Sequence, residues 1–118
     1  VSSEAHAAIR GVYTPRPGVR VYEVHGDLLF AGAEQVARTV TRDCAEFDTA
    51  ILDVSRLHTI NEPARALLAG LSNDLRTLNK QGLLVDPSGS VTPDPAAYTG
   101  LVFATVTDAL AESQIWVR

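Results

Sequence analysis

Apolar residues along the chain follow two periods, and the switches between them set an order of elements. "VRVYEV" (19–24) is dense in β-branched and aromatic side chains and predicts a strand. "HGD" (25–27) then reads as a hairpin-type turn, because Gly26 takes positive φ at no steric cost. "LLF" (28–30) is the short returning strand. From Ala31 the period lengthens. Ala33, Val36, Ala37, Val40, Cys44 and Phe47 share one helical face, with Arg38, Arg42 and Glu46 outside. "TAILDVS" (49–55) is near-continuously apolar, as a strand in a covered parallel sheet is. A short loop through His58 leads to a second helix opened by Asn61. Its stripe is Ala64, Leu67, Leu68, Leu71, Leu75 and Leu78, and Gly82 serves as its C-cap. "GLLVD" (82–86) is the next strand.

The ends are less periodic. "AHAAIRGV" fits a helix tail or a first edge strand equally, and "TPRPG" is a turn-forming run. Residues 1–17 are therefore a lead-in or edge segment, and 18–118 form a single domain. "PSGSVTPDPAAYTG" (87–100) is rich in turn residues and is the segment best suited to mobility. "LVFATVTDALAES" resumes helical spacing, with Thr105 and Asp108 set to cap a helix start. "QIWVR" is a short final strand or a tail. The order β–β–α–β–α–β–loop–α predicts an α/β sandwich on a mixed sheet.

Composition narrows the function classes. The 118 residues can bury one real core and not two. Formal net charge is −4, which gives no electrostatic footprint for nucleic acid or an anionic membrane. No apolar run is long enough for a signal peptide or a span. A single cysteine rules out an internal disulfide and fits a reducing cytoplasm. The absence of methionine implies a piece of a longer protein, or one that lost its start in processing. Nine arginines to one lysine and 16 alanines suggest a GC-rich bacterial genome.

The search for chemistry returns little. Phosphate-loop, dinucleotide, nucleophile-elbow and H-E-x-x-H motifs are all missing. Thr77 stands three before Lys80, so no S-x-x-K pair exists, and His6, His25 and His58 lack metal-ligand spacing. Cys44 sits on an apolar stripe and reads as a packing thiol. Asp53, Ser55 and His58 are close enough in sequence to suggest a triad. A triad needs defined geometry and an oxyanion hole, however, and a locally bonded loop histidine is the simpler reading. Asp53 at a strand end suits a loop organiser. "DPSG", with Asp86 and Ser88, could hold an anion on its backbone N–H groups or form a plain turn. The ligand candidates are thus Asp53, Ser55, Asp86 and Ser88. No catalytic residue, metal or cofactor is assigned.

The succession "VRVYEVHGDLLFAGAEQV", "AILDVSRLHTINEPARALLAGL", "GLLVD" and "VFATVTDALAES" resembles a STAS domain, the fold of bacterial anti-sigma-factor antagonists and of sulfate-transporter tails. The resemblance runs over roughly residues 18–115. It implies a four- or five-stranded mixed sheet with helices largely on one face. It also implies a non-catalytic regulatory and protein-interaction module. In the antagonists an Asp-Ser-Ser-Gly motif opens the second helix, and its second serine is phosphorylated by an anti-sigma kinase. This chain has Asn61-Glu62-Pro63-Ala64 there. Pro63 stands at the acceptor position without a hydroxyl, and Glu62 replaces the other serine. Asn61 as N-cap, Glu62 at the positive helix end and Pro63 in the first turn also make an ordinary helix start.

The implied contact surface comprises Phe30, Arg56, His58, Asn61, Glu62 and Arg65. Its partner would be another protein, another domain of a parent chain, or a second copy, in the cytoplasm, with neither nucleic acid nor membrane insertion. "DVSRLHTINEPARALLAGL…GLLVDPSG" is similar to the STAS domain that follows the catalytic domain of certain bacterial glutaminases, whose S-x-x-K motif is absent here. The competing class is a small-ligand sensor for a nucleotide or anion.

Overall fold

Five strands and three helices are arranged in the computed structural model, which describes residues 8–92 and 101–113. Strand β1 is Ile9–Arg16 and β2 is Val19–Leu28; helix α1 is Phe30–Arg42, followed by one 3-10 turn at Cys44–Glu46. Strand β3 is Thr49–Ile60, α2 is Glu62–Thr77, β4 is Gln81–Val85, β5 is Val102–Phe103 and α3 is Val106–Ser113. The sheet order is β1-β2-β3-β4-β5; β1 runs antiparallel to β2, and all the other pairs are parallel. The mixed α/β sandwich is thus as expected, with five strands. Among the described residues of the N-terminal segment, Ile9–Arg16 form the edge strand.

Two apolar layers cover the sheet. Tyr22, Val24, Ala50, Leu52 and Val54 on one face pack against Ala33, Val36 and Val40 of α1 and Ala64, Leu68, Leu71 and Leu75 of α2. On the other face α3 covers Val19, Val21, Ile51, Leu83 and Val85 through Ala109, Val106 and Leu110. Cys44 is half-buried and packs on the first layer, as a small apolar side chain would. Truncating a residue such as Leu71 would remove about 2–5 kcal/mol.

Several boundaries differ from expectation, each for a physical reason. No hairpin forms at "HGD". The turn lies at Pro17–Gly18, where Gly18 has φ +83°, and β2 runs unbroken to Leu28, so "LLF" is no returning strand. Gly26 does have φ +86°, but it uses it in a bulge. The β2–β3 register shifts between Glu23 and His25 and again between Gly26 and Asp27. Pairing with this bulged stretch also carries β3 through Ser55–Ile60, so His58 lies on a strand rather than in a loop.

Helix α1 stops at Arg42, which leaves Cys44 in the 3-10 turn and Phe47 buried beyond it. Gly82 is not the cap of α2. Asn79 supplies the left-handed residue at φ +63°, and Gly82 is inside β4, where a Cβ would meet Leu75 Cδ1 at 2.9 Å and Ser72 Cα at 3.0 Å. Leu78 ends α2 exposed rather than on the stripe. Val102–Phe103 is a strand, and α3 starts only after Thr105, whose hydroxyl accepts from Asp108 N at 3.1 Å as the capping spacing predicts. "QIWVR" and the Pro93–Gly100 part of the turn-rich segment lie outside the described residues.

Candidate functional site

The C-terminal ends of β2 and β3 meet where two helices begin, the position at which α/β sheets carry their sites. Leu28 pairs with Ile60, and Asn61 N donates to Leu28 O at 3.2 Å, so the starts of α1 and α2 are set side by side. Asn61 caps α2 by accepting from Ala64 N at 3.0 Å, and Pro63 occupies its first turn. Helix α1 begins differently. Its N-cap is Leu29, with no side-chain cap, and Leu29 and Phe30 are 62% and 46% exposed. Two neighbouring large apolar side chains facing solvent at a helix start suit a contact surface.

Glu62 and Arg65 form an ion pair one turn apart, and Arg65 Nε also donates to Ser90 O at 2.9 Å. This second bond ties α2 to the loop after β4. That loop is organised by Asp86, which is buried and accepts from Ser90 N, Val91 N, Thr92 N and Thr92 Oγ1 at 2.9–3.0 Å. Within "DPSG" itself, Asp86 N donates to Phe103 O at 2.9 Å and Gly89 N to Asp86 O at 3.2 Å, so these two backbone donors are taken by the chain's own carbonyls. Ser88 bonds only sideways, its Oγ 2.9 Å from that of Ser90.

The other candidates do not converge. Ser55 donates to Asp53 Oδ1 from both N and Oγ, at 3.1 and 2.6 Å. His58 points elsewhere, its Nδ1 3.8 Å from Asp27 Oδ1, so Asp53, Ser55 and His58 form no triad. Asp27 also accepts from Thr59 Oγ1 at 2.8 Å. Asp53 follows Ile51 by two residues and shares the α3 side of the sheet, with Glu23 beside it in register. Tyr13 stands on that side too. Burial, then Glu23 and Asp53, push its hydroxyl up from the usual value, and Arg56 opposes them. Phe30, Asn61, Glu62 and Arg65 thus gather at the helix starts, while Arg56 belongs with the Tyr13 group.

Leu29 was hidden from sequence reasoning by its assignment to a strand, although its pairing with Phe30 was visible. A groove of about 310 Å3 beside the start of α1 also gave no sequence signal. Arg10, His25, Asp27 and Gln35 line it, and His25 Nε2 is buried with no hydrogen-bond partner among the described residues. Among the described residues no group of three or more His, Cys, Asp or Glu could hold a metal, and no helix is long and apolar enough to cross a membrane.

Comparison with known proteins places this geometry. The family model described as "STAS domain" matches residues 12–109. The anti-sigma factor antagonist SpoIIAA in its unphosphorylated form superposes with a TM-score of 0.69 at 16% identity, over 90% of this chain and 98% of that one. An anti-sigma factor antagonist from Mycobacterium paratuberculosis gives 0.68 at 21% identity, over 88% and 92%. Mglu gives 0.62 at 25% identity over 69% of this chain, which spans only 20% of the Mglu chain. No curated protein sequence matches.

Proposed function

The chain belongs to the STAS domain family, and from that membership we propose that it is a non-catalytic docking module of a bacterial cytoplasmic protein, working through the paired starts of α1 and α2. The observation that carries this is the exposed Leu29–Phe30 pair set beside a capped, ion-paired α2 start by the Asn61 N bond to Leu28 O. An aromatic side chain and an arginine in one patch are hot-spot residue types. Its partner is a protein surface: another domain of the parent chain, a separate protein, or a second copy. Pro63 occupies the position at which the antagonists carry their phosphoacceptor, so docking here runs without that switch. The likeness to Mglu, one form of which is described as L-glutamate binding, supports a glutaminase-type parent.

The test replaces Leu29 and Phe30 by serine and follows association with the remainder of the parent chain by pull-down and light scattering. Loss of association with the fold intact is the expected result. Unchanged association places the contact elsewhere. Incubation with an anti-sigma kinase and ATP leaves the intact mass unchanged, and a phosphate on Ser55 or Thr59 would show that the acceptor had moved. Assayed alone, the chain is expected to turn over neither glutamine nor simple esters, and turnover that disappears with Ser55→Ala or His58→Ala would overturn the non-catalytic reading.

A further inference from the structure

Resting on the docking reading of the α2 start, we propose that Arg65 is a built-in charge shield. It neutralises Glu62 and keeps the surface electrostatically equivalent to an unphosphorylated junction. A carboxylate at the first residue of α2 would otherwise place a permanent negative charge one residue before the position at which the antagonists are phosphorylated. Glu62 is well placed to do so, with its side chain 76% exposed. Phosphoserine carries about −1.5 to −2 and a carboxylate about −1, so an unpaired Glu62 would be a partial imitation.

The geometry removes that charge. Arg65, one turn on, bonds Glu62 Oε1 through Nη1 while its Nε is held on Ser90 O. An isolated surface ion pair contributes little, partly because two long side chains must be ordered to form it. Here one of them is already ordered. The Arg65 side chain is 29% exposed, and its backbone acceptor belongs to the loop that Asp86 fixes through four hydrogen bonds. The guanidinium is therefore presented to Glu62 in place, and Arg suits this double role because its donors form a rigid fork. The helix start offers little residual positive charge either, since Asn61 satisfies Ala64 N and Pro63 has no N–H. At the start of α2 the partner meets a neutralised ion pair rather than a lone carboxylate.

The shield can be measured without the partner. Amide protons at Ala64–Leu67 and Leu29–Ala31 are followed by NMR in the presence of a cationic nitroxide and, separately, an anionic one. In the parent sequence both probes enhance relaxation almost equally. Arg65→Gln gives a several-fold excess for the cationic probe, and Glu62→Gln with Arg65→Gln returns the ratio to parity. The double variant also controls for folding, because a purely structural role for Arg65 would not be repaired by removing Glu62. A cationic excess already present in the parent, or an unchanged ratio in Arg65→Gln, overturns the proposal. In the association assay above, Arg65→Gln weakens binding and the double variant restores it. If no form associates, the docking reading fails, while the probe ratio still decides on the shield.

Discussion

The two ends of the parallel sheet are built on opposite plans. At the N-terminal ends of β2–β4, polar groups are consumed in pairing. Tyr22 OH donates to Asp43 Oδ2 at 2.9 Å, and Arg20 reaches both Asp43 at 3.3 Å and Glu46 at 2.8 Å. Lys80 Nζ donates to Phe47 O at 2.8 Å, and the Phe47 ring meets Tyr22 edge-on with centroids 6.4 Å apart. Arg16, at the same end, closes on Leu110 O and Ser113 Oγ of α3. At the C-terminal ends the ladder is bulged twice, two large apolar side chains face solvent, and His25 Nε2 is left without a partner among the described residues. Lower-end residues hold the fold closed. Upper-end residues leave surface available, which is how a small domain separates stability from recognition.

The comparison breaks first at Asp43. Asp43→Ala removes the farther of Arg20's two carboxylate partners, leaving Glu46 at 2.8 Å, and strips the acceptor from the buried Tyr22 hydroxyl. It should remove about 1–3 kcal/mol by urea unfolding. A loss under about 1 kcal/mol would mean the lower end is not the anchor.

Next is the pH dependence of Tyr22. Burial first, and then the hydrogen bond to Asp43 and its charge, push its hydroxyl from the ordinary 10.0 up to about 12, against the opposing pull of Arg20. A pKa raised by folding favours the protonated form in the native state. The contribution is therefore complete below pH 10 and disappears as pH rises from 10 to 12. Stability should fall by roughly 2–3 kcal/mol across that window. Tyr22→Phe should flatten that part of the profile, and an unchanged slope would assign it to other groups.

At the upper end the expected effects on stability are smaller. Asn61→Ala removes the α2 cap and should cost about 1 kcal/mol. Leu29→Ser with Phe30→Ser should stay within about 0.5 kcal/mol each, since both are exposed.

Legibility in the sequence divides along the same line. Helices α1 and α2 and the buried parts of β3 and β4 were readable, because a covered face imposes its period directly on the residue pattern. Gly26 was misread because a bulge and a tight turn demand the same positive φ, and only the distant β3 partner distinguishes them. Residues 56–60 looked like a loop because only Leu57 and Ile60 among them reach the core, and a spacing of three with polar residues between does not mark a strand. Asn61 as cap was legible, since capping is local. The Arg65–Ser90 bond and the Asp86 loop join residues 25 apart and 4–6 apart around a turn, and only the first truly needed the fold. Leu29 was exposed by its role as an N-cap, a consequence of where β2 ended.

Hydroxyl-radical footprinting of the chain alone and within its parent protein tests the separation of the two ends most directly. Protection on assembly should appear at Leu29, Phe30 and His58, while Tyr13 and Phe47 react as they do in the isolated chain. Protection centred on Tyr13 and Val12, with Leu29 and Phe30 equally reactive in both states, would contradict the assignment of docking to the helix starts.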